Sequence, residues 1–250
     1  MDIALRSITG IEDAITTMFI SKNSLTPEME EDIIKTVQTV TDRNGAMKPE
    51  NELSVLPQNI TGKYNDWMQM LTKWGKIHIT MLRFVQISCM VHGLHRAAQD
   101  DFDAHAMRLN NRIIRSSSRF AGIKDESHLQ NLSEYYADKV MTTDAALKLL
   151  DKELPKEIKH DGKTYVRAFN GYIIKGMEDN QDIKRGLYNL GFPSNFIFQC
   201  NLTEFAHIYK ERNEKGHANP ELKKCVETIT DEIIRMQPMF DRELLLAIKN

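Results

Sequence analysis

The sequence predicts a helix-rich fold of the α+β class, organised as a single domain over 1–250. Three observations predict it. Several stretches repeat their apolar residues with the helical period. One of these opens on a complete start signal, Thr26-Pro27 followed by Glu28 and Glu30. The chain also begins with a short alternating run, Ile3 to Ile8, that reads as a strand. At 250 residues, 41% of them hydrophobic, it can bury one large core.

In order, Glu12 to Ile20 and Pro27 to Val40 read as helices. Thr41 to Lys63 is rich in Asn, Gly and Pro and reads as a long loop. Tyr64 to Trp74 is amphipathic and helical, and Gly75 breaks it. His78 to His95 is the most apolar part, and a short apolar run reads equally as buried strand or buried helix. His92 and His95 lie three apart, which would suit two metal ligands on a helix. No third ligand has a convincing spacing, so core or capping roles fit them better. Ala97 to Leu109 and Ser133 to Leu150 have helical patterns. Lys159 to Lys163, KHDGK, reads as a turn, and Thr164 to Ile174 as either strand or helix. Ile183 to Phe198 begins basic and becomes aromatic. Thr228 to Met236 and Arg242 to Lys249 read as closing helices separated by Pro238.

The net charge of −2 exerts no global pull toward nucleic acid or anionic membrane, so any anion site must be local. Three unclustered cysteines, Cys89, Cys200 and Cys225, argue for a reducing, cytoplasmic compartment and against a disulfide scaffold. The opening MDIALRSI is too short and too charged for a signal peptide, and no apolar run is long enough to span a membrane.

Two stretches carry unusual chemistry. In Asn201 to Leu222, the positions Asn201, Phe205, Ile208 and Arg212 fall within a helical stripe roughly 40° wide. Phe205 and Ile208 suit a core-facing stripe. An amide and a guanidinium on that face need partners, either from the protein or from a ligand. The second stretch is RLNNRIIRSSSRF. Arg108, Arg112, Arg115 and Arg119 are spaced four, three and four apart, a single stripe if helical. From Ala104 to Lys124 there are five Arg or Lys and no acid, so this is a concentrated cationic segment in a chain of negative net charge. Arginine forks with the hydroxyls of Ser116 to Ser118 suit a phosphate. The alternative is a basic face paired with the Asp100-Asp101-Asp103 cluster.

The pattern N-x5-H-x4-R, followed by His217-Ala218-Asn219-Pro220-Glu221-Leu222, resembles the C-terminal signature of the flavin-dependent thymidylate synthases. In that family a helix opens on Asn, carries Arg eleven residues on, and runs into His-Ala-Gln-x-Glu-Ile. The resemblance is strongest from Asp182 to Phe240, where Arg185 lies sixteen residues before Asn201. A weaker likeness covers Trp74 to Phe120. There Gly93-Leu94-His95-Arg96-Ala97 is similar to Gly-Val-Ser-Arg-Ala, and Ser117-Ser118-Arg119-Phe120 to Ser-x-Arg-Tyr. Ile3-Ala4-Leu5 and Ser21-Lys22 fit the family's start.

The resemblance implies an α+β domain with a central mixed or antiparallel sheet. It implies FAD-dependent reductive methylation of dUMP to dTMP, with methylenetetrahydrofolate and NADPH as co-substrates and no cysteine nucleophile. It also implies a homotetramer with shared active sites. By the same resemblance, Ser117, Arg119, Arg185 and Arg212 contact the nucleotide, with Arg212 catalytic. His105, Arg108, Asn201 and His207 contact the flavin. The sequence departs from the family at its Arg-His-Arg triplet, where it has Ala104-His105-Ala106 or Met107-Arg108-Leu109. The family's flavin-contacting Glu falls near Met81, and its Gln before the triplet on Asp101 or Ala104. Two alternatives therefore stay open: a divergent member acting on another pyrimidine, and a nucleotide-binding relative that has lost flavin.

Overall fold

The alternation at the start of the chain becomes strand β1 (Asp2–Thr9). Helix α1 (Ile11–Ser21) buries Ile11, Ala14, Ile15 and Met18, one helical face. Helix α2 (Pro27–Val40) begins and ends where its start signal and apolar period place it. The Thr26 side chain accepts a hydrogen bond from the Met29 backbone N–H at 3.3 Å. This is a computed structural model, and it describes residues 1–104, 112–115, 132–137, 139–168, 171–180, 187, 190–214 and 218–248.

The stretch expected as a long loop carries more helix than its composition suggests. It holds a short helix α3 (Glu50–Leu53) and the first turns of α4 (Gln58–Gly75). Those turns read Gln-Asn-Ile-Thr-Gly-Lys, with too few apolar residues to declare a period. Gly75 is the last residue of α4, so the helix stops at the glycine expected to break it. A Cβ there would lie 2.7 Å from the Leu82 side chain, in the 3-10 turn Met81–Arg83 that folds back on the helix.

The ambiguous apolar run resolves as strand β2 (Gln86–His95), whose burial alternates along most of its length. It leads directly into α5 (Arg96–Ala104) and then β3 (Arg112–Arg115). The single helix expected over 133–150 is two short ones, α6 (Glu134–Ala137) and α7 (Thr143–Leu149). The second is started by Thr142, whose hydroxyl accepts from the Ala145 N–H. Strands β4 (Glu157–His160), β5 (Lys163–Ala168) and β6 (Gly171–Ile174) follow. The KHDGK turn is a two-residue hairpin with Asp161 and Gly162 both at positive φ, 48° and 72°, and His160 facing Lys163. Strand β7 (Pro193–Asn201), helix α8 (Leu202–Tyr209), a π-helical turn (Lys210–Glu214), α9 (Pro220–Met236) and α10 (Arg242–Ala247) complete the order.

The α+β expectation holds. One sheet has the strand order β1-β2-β7-β3, and β4-β5-β6 form a three-stranded antiparallel sheet. Contacts divide the chain into two compact units. The first comprises residues 1–91, 101–114 and 196–250, the second 92–100 and 115–195. The chain passes between units four times, inside β2, α5, β3 and β7.

The first unit has the larger core. Phe102 packs edge-on against Phe198, ring centres 4.9 Å apart, and beside Phe196 at 5.5 Å. A polar clamp crosses this unit. The buried Tyr64 hydroxyl donates to Gln237 Oε1 at 2.7 Å, and Gln237 Nε2 donates to the Gly45 carbonyl at 2.6 Å. In the second unit, His95 is fully buried and caps α5: its Nδ1 accepts from the Ala98 N–H at 3.1 Å, and its ring packs on Tyr136 at 4.8 Å. Among the described residues no helix is long and apolar enough to cross a membrane.

Candidate functional site

The site is built where β7 turns into α8. Asn201 ends the strand and serves as N-cap of the helix, its Oδ1 accepting from the Glu204 N–H at 2.9 Å and from the Thr203 hydroxyl at 2.6 Å. The amide expected to face a ligand therefore has a local duty: its oxygen satisfies the start of the helix. Replacing Asn201 by Ala is expected to cost about 1 kcal/mol of stability through the lost cap, with Ser recovering most of it. Urea unfolding of both variants measures this, and equal losses would remove the capping account.

The expected stripe is buried in full. Phe205 and Ile208 are completely covered, and the polar members Asn201 and Arg212 are 7% and 8% exposed. The helix does not run straight from one to the other, however. It is α-helical only to Tyr209, and Arg212 sits on the π-helical turn. One Arg212 terminal nitrogen, Nη2, donates to the Asp101 carbonyl oxygen. Its Nε is buried and has no partner among the described residues. Burial lowers the guanidinium pKa, and nearby Asp101 and Glu211 oppose that. A desolvated cation with an open N–H is costly without a ligand or partner. His207 is half-buried in α8. The predicted contacts His105, Arg108, Ser117, Arg119 and Arg185 lie outside the described residues.

The arginine-rich stretch is not a helical stripe where it is described. Arg112–Arg115 is strand β3, and spacings of four and three gather residues on one face only in a helix. Arg115 is paired with acid, as one of the two sequence readings had it. It donates to Asp100 at 2.6 Å and to the Gln99 carbonyl at 2.9 Å.

Sequence reasoning missed a cavity of about 480 Å³ lined by Thr17, Ser21, Lys22, Trp74, His78, Thr80, Met81 and Phe84. The Trp74 and His78 rings stack at 5.9 Å and 19°, and Lys22 Nζ lies 4.9 Å from the Trp74 ring centre. Phe84 of its lining precedes Val85, whose carbonyl accepts from the Leu202 N–H at 2.9 Å. The signals were present but scattered: Ser21-Lys22, Trp74 and Met81 each stood in a different argument.

Cysteine chemistry does not compete for the role. All three thiols are free and buried. Burial pushes the Cys89 thiol up to about 12 and holds Cys200 and Cys225 well above the usual range, so none is a ready thiolate at neutral pH.

The sequence matches no protein-family model and no curated protein. Solved structures do match, over nearly the whole chain. The architecture is that of a class of enzymes solved with pyrimidine nucleotides. A thymidylate synthase X (ThyX) from Helicobacter pylori, solved with FAD and dUMP, is 10% identical with a TM-score of 0.57, covering 98% of this chain and 100% of its own. A second structure of the flavin-dependent enzyme from the same organism, also with FAD and dUMP, has a TM-score of 0.51 at 10% identity, covering 96% and 99%. A UMP/dUMP methylase, PolB from Streptomyces cacaoi, bound to 5-bromo-dUMP, has a TM-score of 0.54 at 10% identity, covering 99% and 95%. The chain has the flavin-dependent thymidylate synthase fold.

Proposed function

We propose that this protein binds a pyrimidine deoxynucleoside monophosphate and methylates it reductively, dUMP to dTMP. Methylenetetrahydrofolate would give the carbon and FAD reduced by NADPH the hydride. The observation that carries the reading is Arg212, a buried guanidinium on a π-helical turn whose Nε–H has no acceptor among the described residues. Among the described residues, one terminal nitrogen is held, at the Asp101 carbonyl. An open N–H in a desolvated place is suited to a pyrimidine carbonyl, where negative charge gathers when C5 becomes nucleophilic. In this reading Ser117, Arg119 and Arg185 hold the phosphate.

Flavin fits the described part of the site. The cavity offers the Trp74 and Phe84 rings, the apolar Met81 and the Lys22 ammonium to a planar ring system. Asn201 uses only its oxygen in the bonds described, so its amide donors can still face a ligand. Asn201, His207, His105 and Arg108 are the residues that would hold the cofactor. The flavin itself supplies hydride chemistry when bound; the protein binds, orients and excludes water. A homotetramer with shared sites belongs to the same reading, and light scattering would measure it.

The second reading, a methylase of another pyrimidine monophosphate, is favoured by the altered triplet and by the likeness to a UMP/dUMP methylase. One experiment separates them. Protein is first incubated with FAD and its visible spectrum recorded. It is then given NADPH, methylenetetrahydrofolate and, separately, dUMP, UMP and dCMP, and product masses are measured. Bound flavin and a mass gain of one methyl group on dUMP are expected. A methyl gain only on UMP or dCMP would replace the substrate. Failure to retain FAD, with dUMP still bound, would leave a nucleotide-binding relative without flavin.

A further inference from the structure

The π-helical turn is a less favourable hydrogen-bonding arrangement than the α-helix it interrupts, and something must hold it. Asn213, next to Arg212, donates from Nδ2 to Glu227 Oε1 at 2.9 Å. The other oxygen of Glu227 accepts from Arg242 at 3.4 Å, and the same Arg242 nitrogen is paired with Asp231. Lys210 adds a second tether to α10, donating to the Ile248 carbonyl oxygen. One carboxylate on α9 thus gathers the turn and α10. Glu227 is 36% exposed, so its side chain does not fill the core.

We propose that Glu227 is a positioning residue: through Asn213 it fixes the π-helical turn and so the direction in which Arg212 presents its open N–H. This rests on the reading of Arg212 as a nucleotide contact. If the turn relaxed toward an α-helix, every later side chain would rotate about the axis, and Arg212 would leave its place beside Asp101. Displacing a site group by about 1 Å can cost on the order of 100-fold in rate. Glu227 need not touch the nucleotide to produce such a loss.

The test is a double-mutant cycle read by calorimetric binding of dUMP to the full chain. Arg212→Ala, Glu227→Ala and the double variant are compared with the parent, with urea midpoints recorded alongside. Glu227→Ala is expected to weaken dUMP binding about tenfold. In the Arg212→Ala background the same change should add nothing, because its effect passes through Arg212. A merely structural role would move the urea midpoint and weaken binding in both backgrounds. Glu227→Gln, which keeps an acceptor for Asn213 and loses only an exposed charge pair, should bind within about twofold of the parent. Should Glu227→Ala fail to fold, Asn213→Ala removes the same bond from the other side and is read in the same way. Independent, multiplying losses would overturn the proposal, as would a Glu227→Ala of parental affinity beside a weakened Arg212→Ala. Unchanged dUMP affinity in Arg212→Ala would overturn the nucleotide reading itself, and is seen separately.

Discussion

Arg212→Ala is expected to lower turnover of dUMP by about 100- to 1000-fold, the loss that follows removal of one donor to a developing oxyanion. The same residue should contribute little to stability. Its guanidinium is buried, lowered in pKa by that burial, and bonded at Nη2 to a backbone carbonyl, with Nε unmatched among the described residues. Replacing a costly buried cation by an apolar side chain of similar length is often neutral or stabilising. Arg212→Met should therefore unfold within about 1 kcal/mol of the parent, or at higher urea, while losing the same turnover. Steady-state kinetics and urea unfolding on both variants are the measurements. A variant that loses stability and activity in proportion would make Arg212 a structural ion, and full activity would remove it from the site.

The largest expected loss of stability lies far from the chemistry, at Gly45. This residue has φ +79°, in the left-handed region, and a Cβ built there would lie 1.6 Å from the Ile8 carbonyl oxygen of β1. The backbone must move to admit any side chain. The carbonyl of Gly45 also receives the Gln237 amide, so moving the turn disturbs the bond that ties it to the end of α9. Gly45→Ala combines conformational strain with a backbone clash and is expected to cost on the order of 3–5 kcal/mol. Chemical denaturation checks it. A loss below about 1 kcal/mol would mean that the turn can shift away from β1 without penalty.

What could be read from the sequence divides along a physical line. Helix α2 was legible at both ends because its signals are local: a Thr-Pro start, early acids and an unbroken apolar period. The stripe of Asn201, Phe205, Ile208 and Arg212 was legible for the same reason, and all four are buried. Strand β2 was not: its burial alternates, but its residues are apolar on both faces, and a short apolar run reads equally as strand or helix. The four-and-three spacing of arginines misled, since spacing implies a shared face only after the secondary structure is known, and Arg112–Arg115 is a strand. Isoleucines at 113 and 114 favour that outcome. The π-helical turn left no local signal at all. Asn213 and Glu227 are fourteen residues apart, and Arg242 is fifteen beyond Glu227, so nothing short-range marks their meeting. The cavity at Trp74 is likewise assembled from three separate elements.

The four passages of the chain between units have a consequence for synthesis. When the ribosome has translated as far as residue 195, the first unit still lacks most of β7 and all of α8, α9 and α10. The partners that close it are among the last made. The Met47 N–H waits for the Met236 carbonyl, and Tyr64 for Gln237. Until then β1 has no α9 to pack against, an aggregation-prone interval of the kind chaperones shield. These closures span about 170 to 190 residues, and such distant pairing slows folding. A ribosome that stopped short of the final segment would release a chain whose earlier helices are made but whose first unit cannot be sealed.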